Sequence, residues 1–128
     1  MRKGVIYLIG VLVAALLVTP VATASGGGTE IRKAGACTGN STWKLKVKKD
    51  DAVIEQSFEV DSNVVGQTWR VVFKDNGVAY WSGYRKTLAP SGAFEVTKFH
   101  ADSAGSDFMV ARATNVSTGE ICRGAATI

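Results

Sequence analysis

The chain has 128 residues, 46% of them hydrophobic, with fifteen Lys and Arg against eleven Asp and Glu, two cysteines and one histidine. A chain of this length builds one hydrophobic core, which excludes a multidomain machine or a large cofactor-binding fold. The formal charge is +4, of which +2 remains without the first 24 residues, too small to mark a general nucleic-acid binder.

The first 24 residues are composed differently from the rest. Arg2 and Lys3 precede an uncharged apolar run from Val5 to Val18, then Pro20 and the small-x-small pattern Ala22-Thr23-Ala24. This order predicts a secretory signal peptide over residues 1–24, cut after Ala24. A retained membrane anchor needs about 20 predominantly apolar residues, and Pro20 and Thr23 interrupt the run. Removing the segment leaves 104 residues with thirteen basic and eleven acidic side chains, a charge of +2. The expectation is therefore a secreted, extracellular, monomeric domain with no membrane association after cleavage. Outside the cell, Cys37 and Cys122 are expected to form a disulfide. No Cys-x-x-Cys pair or neighbouring histidine supports a metal or redox role.

Residues 25–35 are rich in glycine and polar side chains and read as a flexible leader, which leaves 36–128 as the folded domain. Alternating segments recur there with turn residues between them, and no stretch shows a helical period. Trp43, Leu45 and Val47 alternate with Lys44, Lys46 and Lys48; after Asp50-Asp51, Ile54, Phe58 and Val60 alternate with Glu55, Ser57 and Glu59. A third strand carries Trp69, Val71 and Phe73. Asn76-Gly77 is a strong two-residue hairpin signal leading into a fourth strand, Val78 to Arg85. After the loop Ala89-Pro90-Ser91-Gly92, Phe94 and Val96 mark a fifth strand. Asp107 to Asn115 form a sixth and Glu120 to Ile128 a seventh. Seven short antiparallel strands in about a hundred residues predict an all-β, two-sheet sandwich.

Taken together, Cys37 to Lys46, Phe58 to Asn63, Gly66 to Arg70, Ala89 to Val96, Val110 to Asn115 and Thr118 to Cys122 resemble a group of small secreted actinobacterial proteins of unknown function. The segment Met109-x-Ala111-x-Ala113-x-Asn115 is also similar to the next-to-last strand of immunoglobulin-like and fibronectin type III-like domains. The resemblance implies such a sandwich with its disulfide moved to the chain ends. It carries no catalytic residues across.

Among chemistry-bearing residues, His100 lies close in sequence to Asp102, Ser103 and Asp107. A catalytic triad draws its members from separate elements, so His100 is expected to be a solvated loop residue, and no catalytic residue is assigned. Asp102, Ser103, Gly105 and Asp107 offer hard oxygen ligands but lack a full calcium-loop pattern, so neither metal nor cofactor is expected. Lysines 44, 46, 48 and 49 read as edge protection or as a track for an anionic polymer.

If Asn76 and Gly77 are the loop residues, Phe73 pairs with Tyr80, Val71 with Ser82 and Trp69 with Tyr84 on the inward face. The outward face then gathers Trp81 with Val72, Arg70, Lys74 and Arg85. An exposed tryptophan among cations is a candidate binding surface. The sequence therefore points to a non-enzymatic binding or interaction module, with an extracellular protein or a cell-surface polymer as partner. The alternative is a small hydrolase inhibitor acting through the loop Lys86 to Gly92.

Overall fold

A computed structural model describes residues 28–128. The signal segment and Ser25 to Gly27 lie outside the described residues. Eight strands follow in chain order: β1 Thr29–Ala36, β2 Thr42–Asp50, β3 Val53–Asp61, β4 Thr68–Asp75, β5 Val78–Lys86, β6 Ala93–Ala101, β7 Phe108–Asn115 and β8 Ile121–Thr127. They form two antiparallel sheets, ordered β1-β2-β3-β6 and β5-β4-β7-β8. After β3, the chain crosses to the second sheet for the β4–β5 hairpin, returns as β6 beside β3, and crosses again for β7 and β8. The all-β two-sheet sandwich read from the alternation is the fold observed, with one strand more than the seven expected.

The additional strand replaces most of the expected flexible leader. Thr29 to Ala36 pair with β2 along their whole length, from Thr29 opposite Lys49 to Ala36 opposite Thr42. Only Ile31 and Gly35 of this strand are even half-buried. Side-chain composition therefore gave no sign of order. What holds β1 is the backbone ladder to β2 and the covalent link that follows it.

Alternation on β2 and β3 sorts the core as expected. Leu45, Val47, Ile54, Phe58 and Val60 are buried between the sheets, facing Trp69, Val71 and Phe73 of β4 and Met109, Ala111 and Ala113 of β7. Trp69 meets Phe94 across the core at 6.3 Å between ring centroids, and Trp43 meets Phe58 at 6.0 Å. Such pairs add to the burial of their ring area.

The two open sides of the sandwich close differently. On one side, β1 and β2 pack on β8. The indole of Trp43 is wedged there between two glycines: a Cβ on Gly35 would lie 2.7 Å from the ring, as would one on Gly124. The same side carries the expected disulfide, Cys37–Cys122, which joins residues 85 apart in sequence and links the segment after β1 to β8 of the other sheet. Glu120 reinforces the junction. Its carboxylate accepts hydrogen bonds from the N–H groups of Gly39 and Ser41 at 3.0 and 2.9 Å and from Ser41 Oγ at 3.0 Å. On the other side, β5 faces β6 through polar and aromatic side chains.

Closing a loop of this size lowers the entropy of the unfolded chain by about 4–5 kcal/mol, less any strain. The Cys37→Ala, Cys122→Ala double variant is therefore expected to lose about 3–5 kcal/mol in urea unfolding. In Gly124→Ala, the added methyl meets the Trp43 ring, with an expected loss of about 1–3 kcal/mol.

Candidate functional site

The β4–β5 hairpin fixes the faces of the second sheet. Asn76 and Gly77 both have positive φ, 50° and 85°, as a twist-matched two-residue turn requires. Asp75 pairs with Val78 and Lys74 with Ala79, as the turn predicts. The register then shifts: Phe73 pairs with Trp81, Val72 with Ser82, Val71 with Gly83, Arg70 with Tyr84 and Trp69 with Arg85. One extra residue, Tyr80, is inserted in β5, and in such a bulge two neighbours oppose one residue of the partner strand.

This overturns the expected pairing of Phe73 with Tyr80, Val71 with Ser82 and Trp69 with Tyr84, and it divides the candidate surface. Trp81 turns toward the core and packs edge-on against Phe73, 5.5 Å between centroids. The Arg85 guanidinium and the Lys98 ammonium of β6 lie 5.1 and 4.8 Å from its ring centroid. Trp81 and Arg85 thus belong to the β5/β6 seam. Arg70, Val72 and Lys74 keep the outward orientation expected for them.

Around those three, the sheet assembles a basic face. Val72 pairs with Arg112 of β7, which pairs in turn with Arg123 of β8; Lys74 pairs with Val110 and Arg70 with Thr114. Phe108 and Gly77 complete the lining of a depression of about 590 Å³. Arg70, Lys74, Arg112 and Arg123 are all exposed, and among the described residues none is in a salt bridge. No acidic residue occupies an outward position on β4, β5, β7 or β8. Phe108, Arg112 and Arg123 were not singled out from the sequence. The alternation of β7 marks Phe108 and Arg112 as outward, but their adjacency to Val72 depends on β4 pairing with β7, a contact between segments far apart in sequence.

The lysine-rich strand is arranged otherwise. Lys46 Nζ lies 2.9 Å from Glu55, and Lys44 Nζ lies 3.9 Å from Glu59, both on neighbouring β3. Lys49 turns to the end of the sandwich, 3.4 Å from Asp102 and 3.8 Å from Asp107. Two of the four lysines thus face cross-strand carboxylates and a third faces loop aspartates, while Lys48 is in no salt bridge among the described residues.

At that end lies a buried polar cluster drawn from five segments. His100 is on β6 rather than in a solvated loop. Its ring stacks on Tyr80 at 4.2 Å, and Nε2 is 3.4 Å from Asp75 Oδ2. Tyr80 donates its hydroxyl to buried Gln56 at 2.6 Å, and burial together with the nearby Asp75 charge raises its pKa. Ser103 Oγ donates to Asp107 Oδ1 at 3.1 Å.

Burial, followed by the hydrogen bond and charge of Asp107, pushes the Asp75 carboxyl up to about 6. Burial acts to raise Asp107 too, but the neighbouring Asp75 carboxyl, the Ser103 hydroxyl, the Asp102 side chain and the Lys49 charge together bring it below the usual carboxylate range. Below about pH 6 a protonated Asp75 therefore stands near an ionised Asp107. The Lys49 ammonium stands beside Asp102 and Asp107, where a bound cation would need to sit. Among the described residues, no group of three or more metal-ligating side chains is gathered to hold an ion.

The loop after β5 folds back on itself: the Leu88 N–H donates to Ala93 O at 2.9 Å and the Gly92 N–H to Leu88 O at 2.8 Å. Its neighbour Thr87 is buried, with Oγ1 donating to Val64 O at 2.6 Å. Compared with known families, characterised proteins and solved structures, the chain gives no match.

The raised Asp75 pKa sets the sign of a pH effect. Its contribution to stability is present below about pH 4 and is lost as the pH rises through about 6, because the folded state holds a proton that the unfolded chain releases. Asp75→Asn keeps the shape and a donor toward Asp107 without the charge. Its stability relative to the parent is expected to rise by roughly 1–3 kcal/mol between pH 5 and pH 8. Urea unfolding at both pH values measures this, and a pH-independent difference counts against the raised Asp75 pKa.

Proposed function

We propose that the protein is a secreted, non-enzymatic β-sandwich that works as a binding module, with the outward face of the β5-β4-β7-β8 sheet as its contact surface. The observation that carries this reading is the distribution of charge. On the first sheet Arg32, Lys44, Lys46 and Lys49 have carboxylate partners and outward carboxylates stand among the cations, whereas Arg70, Lys74, Arg112 and Arg123 have neither and surround an apolar floor of Val72 and Val110. Aligned cations next to aliphatic surface suit a partner that supplies the missing negative charge.

Secretion is supported by the signal-like segment and by a disulfide, a bond that persists in oxidising compartments. Among the described residues, no helix is long and apolar enough to cross a membrane. A non-catalytic role is supported by the surroundings of His100. Its partners are Tyr80 and Asp75, and no described serine, threonine or cysteine is hydrogen-bonded to its ring. The folded-back loop after β5 favours this reading over hydrolase inhibition, which calls for an extended, projecting segment.

Retention of purified protein on cell envelopes of the producing organism tests the face. Arg112→Glu is expected to lower retention about tenfold or more, an effect of binding hot-spot size, with thermal stability kept. Trp81→Ala is expected to cost about 2–4 kcal/mol of stability through lost packing while the folded variant is retained like the parent. The opposite pattern, with Arg112 dispensable and Trp81 essential for retention, would return the contact to the β5/β6 seam.

A further inference from the structure

The overall charge of the domain conceals its polarity. Among the described residues, Glu30, Asp50, Asp51, Glu55, Glu59, Asp61 and Glu95 belong to the first sheet and its turn. Asp75, Asp102 and Asp107 form the cluster at one end, and Glu120 clamps the loop beside the disulfide. The outward side of the second sheet is left with only positive charge.

Arg112 and Arg123 stand directly opposite each other across β7 and β8. Like charges in that position destabilise a strand pair, and an anion laid between them would reverse the sign. Along β4, Arg70 and Lys74 are four residues apart, a distance of about 13 Å, and neighbouring strands are about 4.8 Å apart. The cations therefore spread over a strip rather than converging on one point. The depression they border is lined by sheet residues and the hairpin glycine, so it admits an extended chain lying across the strands.

Its floor is aliphatic, formed by Val72 and Val110. The aromatic rings Phe108 and Tyr84 lie on different strands, β7 and β5, at separate margins. Nucleic acid held on a sheet is gripped by bases stacked on successive aromatic platforms, which this floor does not provide. Aliphatic side chains suit the C–H surfaces of sugar rings, and the cations suit charges carried on such rings.

We propose that this face binds an acidic polysaccharide, an extended glycan bearing carboxylate or sulfate groups, with Arg112 and Arg123 as its central anchors. The inference rests on the reading of this face as the contact surface.

Titration calorimetry with polygalacturonate oligomers, and with neutral dextran of equal length, tests it on the full mature chain. Polygalacturonate is expected to bind at low salt and dextran not to bind. In the Arg112→Gln, Arg123→Gln variant, affinity is expected to fall at least about tenfold. The slope of log K against log salt should flatten by about two, the number of anion contacts removed. In Lys44→Gln, Lys48→Gln, affinity should stay within about twofold, since these side chains lie on the other sheet.

Polygalacturonate binding that survives the arginine changes, or falls equally in both variants, overturns the inference. So does tighter binding of an oligothymidylate or of phosphatidylglycerol vesicles. Absence of polygalacturonate binding together with Arg112-dependent envelope retention rejects the polysaccharide while leaving the face as the contact; loss of Arg112 dependence in both assays rejects the face itself.

Discussion

A single extra residue in β5 governs both surfaces of the second sheet. Strand side chains alternate strictly, so inserting Tyr80 opposite Phe73 reverses the direction of every β5 side chain that follows. Tyr80 and Trp81 both turn inward, Gly83 and Arg85 follow Trp81, and Ser82 and Tyr84 face out beside Val72 and Arg70. Without the bulge, Ser82 and Tyr84 would face the other sheet and Trp81 would stand in water beside Val72, one strand away from Arg112. With it, β5 delivers a stacked tyrosine, a packed tryptophan and an arginine to the gap facing β6, while the basic outer face stays clear of the indole.

The two sides of the sandwich thereby close by different physics. Between β1, β2 and β8 the closure is dry and covalent: the Trp43 ring fills the space left by two missing Cβ atoms, and the disulfide lies alongside. Between β5 and β6 it is polar and aromatic, with Lys98 and Arg85 against Trp81 and His100 against Tyr80. Cations over an indole hold long side chains in place while their charged ends still reach water. A sandwich with so few large core residues depends on both closures, because each covers an open edge of the apolar layer.

What could be read from the sequence follows from how local each determinant is. The inward and outward faces of β2 and β3 were legible because alternation of Trp43, Leu45 and Val47 with lysines is itself the physical cause of the face assignment. The Asn76-Gly77 turn was legible because positive φ at two successive positions selects those residues. The bulge was not, since it is decided by how Phe73, Tyr80 and Trp81 fit together in the core. The one local hint was Gly83, a glycine inside a strand pattern, where the Trp81 ring now lies 2.8 Å from the place a Cβ would occupy. Strand β1 was illegible for the opposite reason: it is held by backbone pairing and contributes little to the core. The basic face was half legible, Arg70, Val72 and Lys74 from β4 alone, whereas Arg112 and Arg123 join it only through the pairing of β4 with β7 and of β7 with β8.

The outer face is basic because the carboxylates are engaged elsewhere. Glu55 and Glu59 oppose the lysines of β2, where unpaired ammonium groups in a row would repel one another along the strand. Glu120 satisfies two backbone N–H groups and a hydroxyl in the loop beside the disulfide, a task that neither a lysine nor an apolar side chain could perform. Asp75, Asp102 and Asp107 meet at the end of the sandwich, where the Lys49 ammonium offsets part of the cost of burying them. Each of these acids is fixed by a structural demand of the first sheet or of the junctions between sheets. The second sheet makes no such demand on its outward side. Its inward positions hold the core, its ends are tied by the Asp75 cluster and the Glu120 clamp, and its cations are left facing water without partners. Two arginines set directly across from each other on that surface lower the stability of the β7–β8 pair. An anionic ligand bridging them would convert that repulsion into binding energy without any rearrangement of the backbone.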